Sequence, residues 1–341
     1  MRLRKVKVGT PGLTRRRVGR GFVYLDAGGN RVTDEEVLTR CRDLLIPPAW
    51  TDVWICPVPN GHIQAVGTDA AGRRQYLYHP AWRESRDSAK HERVVTLARR
   101  LPSARRRVTM DLSGSGMPRE RALAVAFRLL DLGYFRIGGE GYAEINGSFG
   151  LATLRKDHVR IGRDGTLTFD YTAKSGQHRV LRLRDEDLIR PVSMLRRRRG
   201  GGEELLAYRA GGQWHDITST DINDYVKDLL GEDASAKDFR TWHGTALAAV
   251  ELAVRVEPGA SDRARSRAVR EAVQVVAGYL GNTPAVCRAS YVDARVVDLF
   301  ERGQTIDPAL ARRVVGRADG DDLLPPDTRG AVEGALLELL G

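Results

Sequence analysis

Four short segments of this chain combine residue types that could act on a phosphate ester: Phe135-Arg136-Ile137-Gly138, the turn residue Lys174, Lys237-Asp238-Phe239-Arg240-Thr241-Trp242, and Asn282-Thr283-Pro284 followed by Tyr291. A phosphodiester under attack gathers negative charge on its non-bridging oxygens, and without a metal the protein must meet that charge with preorganised donors. Arginine suits this task because its planar guanidinium presents a fork of N–H groups matched to phosphate oxygens. Arg136 and Arg240 are the candidates, and the Asn282 amide can add a further donor. The departing oxygen needs a proton, which arginine releases poorly at neutral pH, whereas a lysine near other cations and partly out of water is a workable acid. Lys174 is the candidate for that step. A phenol has a pKa of about 10, so Tyr291 would lose its proton on attack with help from nearby positive charge. Taken singly, each residue has an ordinary reading: an ion-pairing arginine, a solvated turn lysine, a helix-surface charge, a half-buried core tyrosine.

Composition narrows the partner. The chain has 341 residues, 42% of them hydrophobic, which is enough for one or two globular domains. Its formal charge of +11 and pI of about 9.8 favour a polyanion. Only seven of its 55 basic residues are lysines, so Lys174 and Lys237 stand out against an arginine-rich background. Three scattered cysteines, Cys41, Cys56 and Cys287, have neither zinc spacing nor a disulfide framework, which points to a reducing compartment and no structural metal. No apolar run approaches the roughly 18 residues of a membrane span. The basic start lacks the apolar stretch of a secretory signal, and Gly21 to Leu25 already reads as a strand, against a transit peptide. A soluble cytoplasmic protein without membrane partners is expected.

The pattern of elements is α+β. Up to about residue 80, short β-like runs (Phe22 to Asp26, Val53 to Val58, His62 to Thr68, Gln75 to Tyr78) alternate with turn signals and surround one helix, Asp34 to Leu45. Beyond this the period becomes helical, in Arg93 to Leu101 and Pro118 to Leu132. A three-stranded interlude follows, Leu151 to Val159, Thr166 to Tyr171 and His178 to Leu183, with Lys174 in the turn between the last two. Arg196 to Arg199 with Gly200-Gly201-Gly202 reads as a mobile basic hairpin tip. Helices are predicted from Thr218 to Leu230, from Ser235 with Asp238 in a capping box, and from Ser261 to Leu280 with Ala264, Ala268, Ala272, Val275, Val276 and Tyr279 inward. Thr283-Pro284 has the form of an N-cap with proline in the first turn. The expected domains are residues 1–88, small and mainly β, and 89–341, larger and mainly α with a small sheet.

In this order, Arg, turn Lys, Lys-x-x-Arg, a hydrogen-bonding residue and Tyr closely resemble the catalytic series of type IB DNA topoisomerases. The likeness extends to Gly138, Tyr142, Asn146, Gly150 and Thr153-Leu154-Arg155-Lys156-Asp157-His158-Val159. In the N-terminal part, Pro47-Pro48-Ala49-Trp50, Gly61 to Ala65 and Gly72 to His79 are similar to the compact poxvirus-like and bacterial members. The resemblance implies the catalytic fold shared with tyrosine recombinases. It also implies relaxation of supercoiled duplex DNA, without ATP or an obligatory metal and with a divalent cation at most a stimulant, through a transient 3′-phosphotyrosyl bond. By the same resemblance Arg136, Lys174, Arg240, Asn282 and Tyr291 are catalytic, and Arg136 shares in protonating the leaving group. Gln75, Tyr76, Tyr78, Tyr142 and Lys237 contact DNA, and the two domains clamp it as a monomer associated with the nucleoid. The sequence departs from the commonest pattern at Asn282, where many members have a histidine, so a hydrogen bond is kept and a charge is lost. His243, three residues after Arg240, reads as structural.

Two other classes remain open to test. A tyrosine recombinase shares the series but usually has His-x-x-Arg where this chain has Lys237-x-x-Arg240, and its N-terminal part is helical. A non-enzymatic DNA-binding protein would explain the charge and the basic, tyrosine-bearing strand without requiring Tyr291.

Overall fold

The computed structural model describes residues 2–141, 147–255, 260–317 and 324–341. The chain is α+β and divides into two compact units, Met1–Lys90 and His91–Gly341.

The first unit is a five-stranded antiparallel sheet in the order β2-β1-β3-β4-β5, built from β1 (Leu13–Val18), β2 (Gly21–Leu25), β3 (Thr51–Ile55), β4 (Ile63–Thr68) and β5 (Arg74–Tyr78), with helix α1 (Glu35–Asp43). Successive side chains of a strand point to opposite faces. Val53 and Ile55 therefore join Cys41 and Ile46 in one small core, while Trp54 and Cys56 join Ile63 and Val66 in another. The Asp34 carboxylate caps α1 by accepting from the Glu36 and Val37 amides. Strand β1 has no counterpart in the sequence reading, because Leu-Thr-Arg-Arg-Arg-Val shows little apolar alternation. Long-range bonds hold it: Arg15 donates to the carbonyls of Ile46 (2.7 Å) and Pro47 (2.8 Å) and lies 4.1 Å above the Phe22 ring.

Helix α2 (Pro80–Ser113) contains the division between the units and runs through Pro102, where the sequence pattern suggested an end at Leu101. An interior proline removes one helical hydrogen bond and costs about 3 kcal/mol. Pro102 lies on the exposed face, however, while Val94, Leu97, Ala98, Leu101, Ala104, Val108 and Leu112 form a continuous buried stripe that outweighs the loss.

In the second unit, α3 (Arg119–Gly133) and α6 (Ala236–Arg255) are buried along most of their length. Around them lie α4 (Glu186–Arg197), α5 (Ser219–Leu230), α7 (Asp262–Leu280), α8 (Pro284–Ser290), α9 (Ala294–Glu301), α10 (Pro308–Arg317) and α11 (Pro326–Leu340). The three-stranded sheet is β6 (Val159–Ile161), β7 (Leu167–Ala173) and β8 (Gln177–Leu183), all antiparallel. The expected strand from Leu151 is mostly two single 3-10 turns, Leu151–Thr153 and Lys156–His158. Local side-chain bonds compete with a ladder there: the Gly150 amide donates to Thr153 Oγ1 and the Arg155 amide to His158 Nδ1.

The basic segment after α4 is likewise not a free hairpin tip. Arg198 is buried and donates to the carbonyls of Leu195, Gly202, Glu204 and Leu205, and the hairpin is β9 (Ala207–Ala210) with β10 (Gln213–Asp216). On α7 the buried face is Ala268, Val269, Ala272, Val273, Val276, Ala277 and Leu280; Ala264, Val275 and Tyr279 are only half-buried. Among the described residues no helix is long and apolar enough to cross a membrane.

Candidate active site

Tyr291 ends α8. Thr283 caps that short helix with Pro284 in its first turn, and the Tyr291 amide closes it on the Cys287 carbonyl (2.8 Å). The tyrosine backbone rests on α6: a Cβ at Gly244 would lie 2.8 Å from the Tyr291 carbonyl oxygen, so only glycine lets the two segments approach this closely. Thr245 secures the same junction, its Oγ1 lying 3.3 Å from the Tyr291 oxygen and accepting from the Asp293 amide (3.1 Å).

Arg240 comes from the second turn of α6, whose start is fixed by the expected box, with Ser235 N–H and Oγ donating to the Asp238 carboxylate (2.9 and 2.7 Å). Its guanidinium is buried, with Cζ 5.0 Å from the Tyr291 ring centroid, and it donates to the carbonyls of Tyr134 (2.5 Å) and Leu280 (2.8 Å). Burial, then the neighbouring Arg136 charge, pushes the Arg240 pKa down to about 10, opposed by Tyr291; the group is still charged at neutral pH.

Arg136 follows α3 by three residues. Phe135 before it is locked against Phe169 and Tyr171 (ring centroids 5.1 and 5.9 Å), and the Arg136 carbonyl accepts from the Leu151 amide (2.8 Å). Gly138, at φ 77°, passes so close to Gly150 that a Cβ would lie 2.8 Å from the Gly150 Cα. One guanidinium nitrogen, Nη2, donates to both the Gly281 carbonyl (2.8 Å) and Asn282 Oδ1 (2.6 Å). An arginine only donates, so the Asn282 oxygen must face it. The Asn282 Nδ2 is then a buried donor with no partner among the described residues. An orphaned buried donor is costly and calls for an explanation. An oxyanion placed beside Arg136 and Asn282 would supply one.

These charges act on the phenol. Burial alone would raise the Tyr291 pKa, but the Arg240 charge and hydrogen bond, then Arg136 and Lys237, outweigh it, and the pKa falls below the ordinary tyrosine value. Lys237 is exposed on the first turn of α6, whereas Arg240, three residues on, is buried.

The structure thus brings Arg136, Arg240, Asn282 and Tyr291 into one cluster. Lys174 is exposed at the β7–β8 turn, where Ser175 and Gly176 take positive φ. Tyr142 lies outside the described residues. Gln75, Tyr76 and Tyr78 lie on β5, the edge strand of the first unit. Tyr76 and Tyr78 share its exposed face with rings stacked at 6.1 Å, while Gln75 points the other way and donates to Asp69 Oδ2 (2.9 Å). His243 is fully buried with Nε2 3.2 Å from Asp131 Oδ1, in a network where Arg105 grips Asp131 and Glu333. Burial lowers its pKa against the pull of Asp131.

Arg179, on β8, was not singled out by sequence, yet it donates to the Tyr279 carbonyl (2.8 Å) beside Arg136 and Arg240. No sequence signal separates it from the other arginines; only the pairing of β7 with β8 places it there. Among the described residues no group of three or more His, Cys, Asp or Glu is placed to hold a metal ion.

A phenol with a lowered pKa, held against two fixed guanidiniums and an unpaired amide within an α+β frame, defines a site that can take an anionic ester and attack it. Residues 79–309 match the family model described as eukaryotic DNA topoisomerase I, catalytic core, and residues 21–69 match that of the bacterial DNA topoisomerase IB N-terminal domain. A DNA topoisomerase 1B of Acanthamoeba polyphaga mimivirus is 28% identical over 297 residues, covering 85% of this chain and 88% of the relative. The chain belongs to the type IB DNA topoisomerase family.

Proposed function

We propose that the protein relaxes supercoiled duplex DNA by cutting one strand, letting it rotate and resealing it, and that Tyr291 is the nucleophile. The observation that carries this reading is the lowered Tyr291 pKa under Arg240 and Arg136 beside the unpaired Asn282 amide. In the forward step the Tyr291 oxygen attacks phosphorus and loses its proton. The P–O5′ bond breaks, a 3′-phosphotyrosyl bond forms, and the 5′ oxygen leaves as a hydroxyl. Arg136, Arg240 and Asn282 Nδ2 bind the non-bridging oxygens, where charge grows in the transition state. Lys174 supplies the leaving-group proton once the turn between β7 and β8 closes on DNA, with Arg136 assisting. Resealing is the reverse attack by the 5′ hydroxyl on a phenoxide leaving group. The cycle conserves the bond energy and consumes no ATP, and the donor set does the work a metal would otherwise do.

In this reading the first unit, with the exposed Tyr76–Tyr78 pair, Gln75 and its arginines, and Lys237 and Tyr142 in the second, hold the duplex, and a single chain closes around it. The test is plasmid relaxation with EDTA and without nucleotide, followed by detergent trapping. Relaxation with protein linked to the 3′ side of the break supports the reading. Strand exchange between two sites without relaxation would make the protein a recombinase, and full function of Tyr291→Phe would make it a DNA-binding protein alone.

A further inference from the structure

The end of helix α7 holds more than the two arginines already assigned. Gly281, at φ 60°, terminates the helix in the left-handed conformation: its amide bonds the Gly278 carbonyl (3.1 Å) and the Asn282 amide bonds the Ala277 carbonyl (2.9 Å). This pattern satisfies two of the last carbonyls and leaves those that follow without helical partners. The next three, of Tyr279, Leu280 and Gly281, are each taken by a different arginine from a different part of the chain. Arg179 of β8 donates to Tyr279 (2.8 Å), Arg240 of α6 to Leu280 (2.8 Å) and Arg136 to Gly281 (2.8 Å). Consecutive Cα atoms are fixed about 3.8 Å apart, so three adjacent carbonyls fix three guanidiniums relative to one another. The partial negative charge at a helix C-terminus also offsets some of their mutual repulsion.

Arg179 also reaches toward the Gly278 carbonyl (3.5 Å), and a Cβ at Gly281 would lie 2.7 Å from its Nη1, so it lies tightly against the turn. Among the described residues its hydrogen bonds go to the carbonyls of Tyr279 and Gly278, not to Tyr291. We infer that Arg179 is a positioning residue for strand cleavage, holding the α7 terminus so that the Leu280 and Gly281 carbonyls present Arg240 and Arg136 to the scissile phosphate. This rests on the function proposed above. In agreement, Arg179 is one of the charges that lower the pKa of both Arg136 and Arg240, behind burial in each case.

The experiment uses the full chain and a supercoiled plasmid. Relaxation is timed at saturating protein, DNA affinity is measured separately in a Tyr291→Phe background, and thermal melting reports folding. Arg179→Gln should slow relaxation about tenfold or more with little change in affinity, a loss confined to the bound complex. Arg179→Lys should recover part of the rate, since an ammonium can still donate to one carbonyl but not span two. In an Arg136→Ala background the same Arg179→Gln change should cost no more than about threefold, because residues acting through one another are not additive. An Arg179→Gln protein with the wild-type rate, or with the same proportional loss in both backgrounds, overturns the inference. If Arg179→Gln does not fold, Arg179→Lys decides: slowed relaxation at unchanged affinity supports the role, and an unchanged rate refutes it. Failure of the wild type to relax DNA, or relaxation by Tyr291→Phe, would instead remove the functional reading beneath it.

Discussion

The edge strand β5 and the cluster at Tyr291 use the same two residue types in opposite states. At β5, Arg74 and the preceding Arg73 are exposed beside the stacked rings of Tyr76 and Tyr78, with Arg73 paired to the surface carboxylate of Asp69 (2.9 Å). Around Tyr291 the guanidinium of Arg240 is buried and that of Arg136 half-buried, each holding backbone carbonyls. Exposed arginines attract a polyanion at long range, and that attraction is screened by salt. Arginines whose spare donors are fixed by carbonyls need little reorganisation when charge develops in front of them, which is where most rate enhancement originates. Under the proposed function, position relative to the backbone rather than residue type separates the binding surface from the reacting one.

The comparison fails outright if Tyr291 is dispensable. Tyr291→Phe is expected to bind DNA normally and to form no covalent adduct in a detergent-trapping assay; any adduct would place the nucleophile elsewhere. Next in size, Arg136→Ala and Arg240→Ala should each slow single-turnover cleavage at least about a hundredfold, or about 3 kcal/mol of barrier. A loss that appears in affinity and not in rate would erase the distinction from β5.

The pH dependence sharpens the same contrast. Where the Tyr291 proton is lost ahead of attack, cleavage should rise about tenfold per pH unit below the Tyr291 pKa and level off above it. Because Arg240 and Arg136 bring that pKa below the ordinary tyrosine value, the plateau should begin below the range of a free phenol. Arg136→Ala removes one lowering charge and should move the bend to higher pH; a flat profile in both proteins would exclude rate-limiting loss of the phenol proton. The smallest effect is expected at the strand edge. Arg74→Ala should leave the cleavage rate of bound DNA intact and flatten the salt dependence of binding by about one unit of slope. A change in the rate of the bound complex would show that β5 also takes part in the reaction.

Local rules served well wherever the determining partners lie a few residues apart. The Ser235–Asp238 box, the Thr218 cap with Asp221 and the Thr283-Pro284 start of α8 are all such pairs, and the structure contains each of them. They fail where the partner is remote. Strand β1 is held by carbonyls about 30 residues away in sequence, α2 continues past Pro102 because of what its inner face buries, and Arg198 looked like a free basic tip until its carbonyl partners were in place.

For the candidate site, sequence alone determined which residue types were available, in what order, and what chemistry they suit, and the family likeness carried by those residues agrees with the matched family models. It also identified Asn282 as a hydrogen-bonding residue without charge. Only the tertiary structure decided that the Asn282 oxygen is turned to Arg136, that its amide is left unpaired, that Lys174 waits in solvent, and that Arg179 joins the others. The physical reason is the separation of the bonds: Arg136 meets Asn282 across 146 positions of chain, and Arg179 meets Tyr279 across 100. Contacts of that span are set by how β8, α6 and α7 pack, which no local propensity encodes.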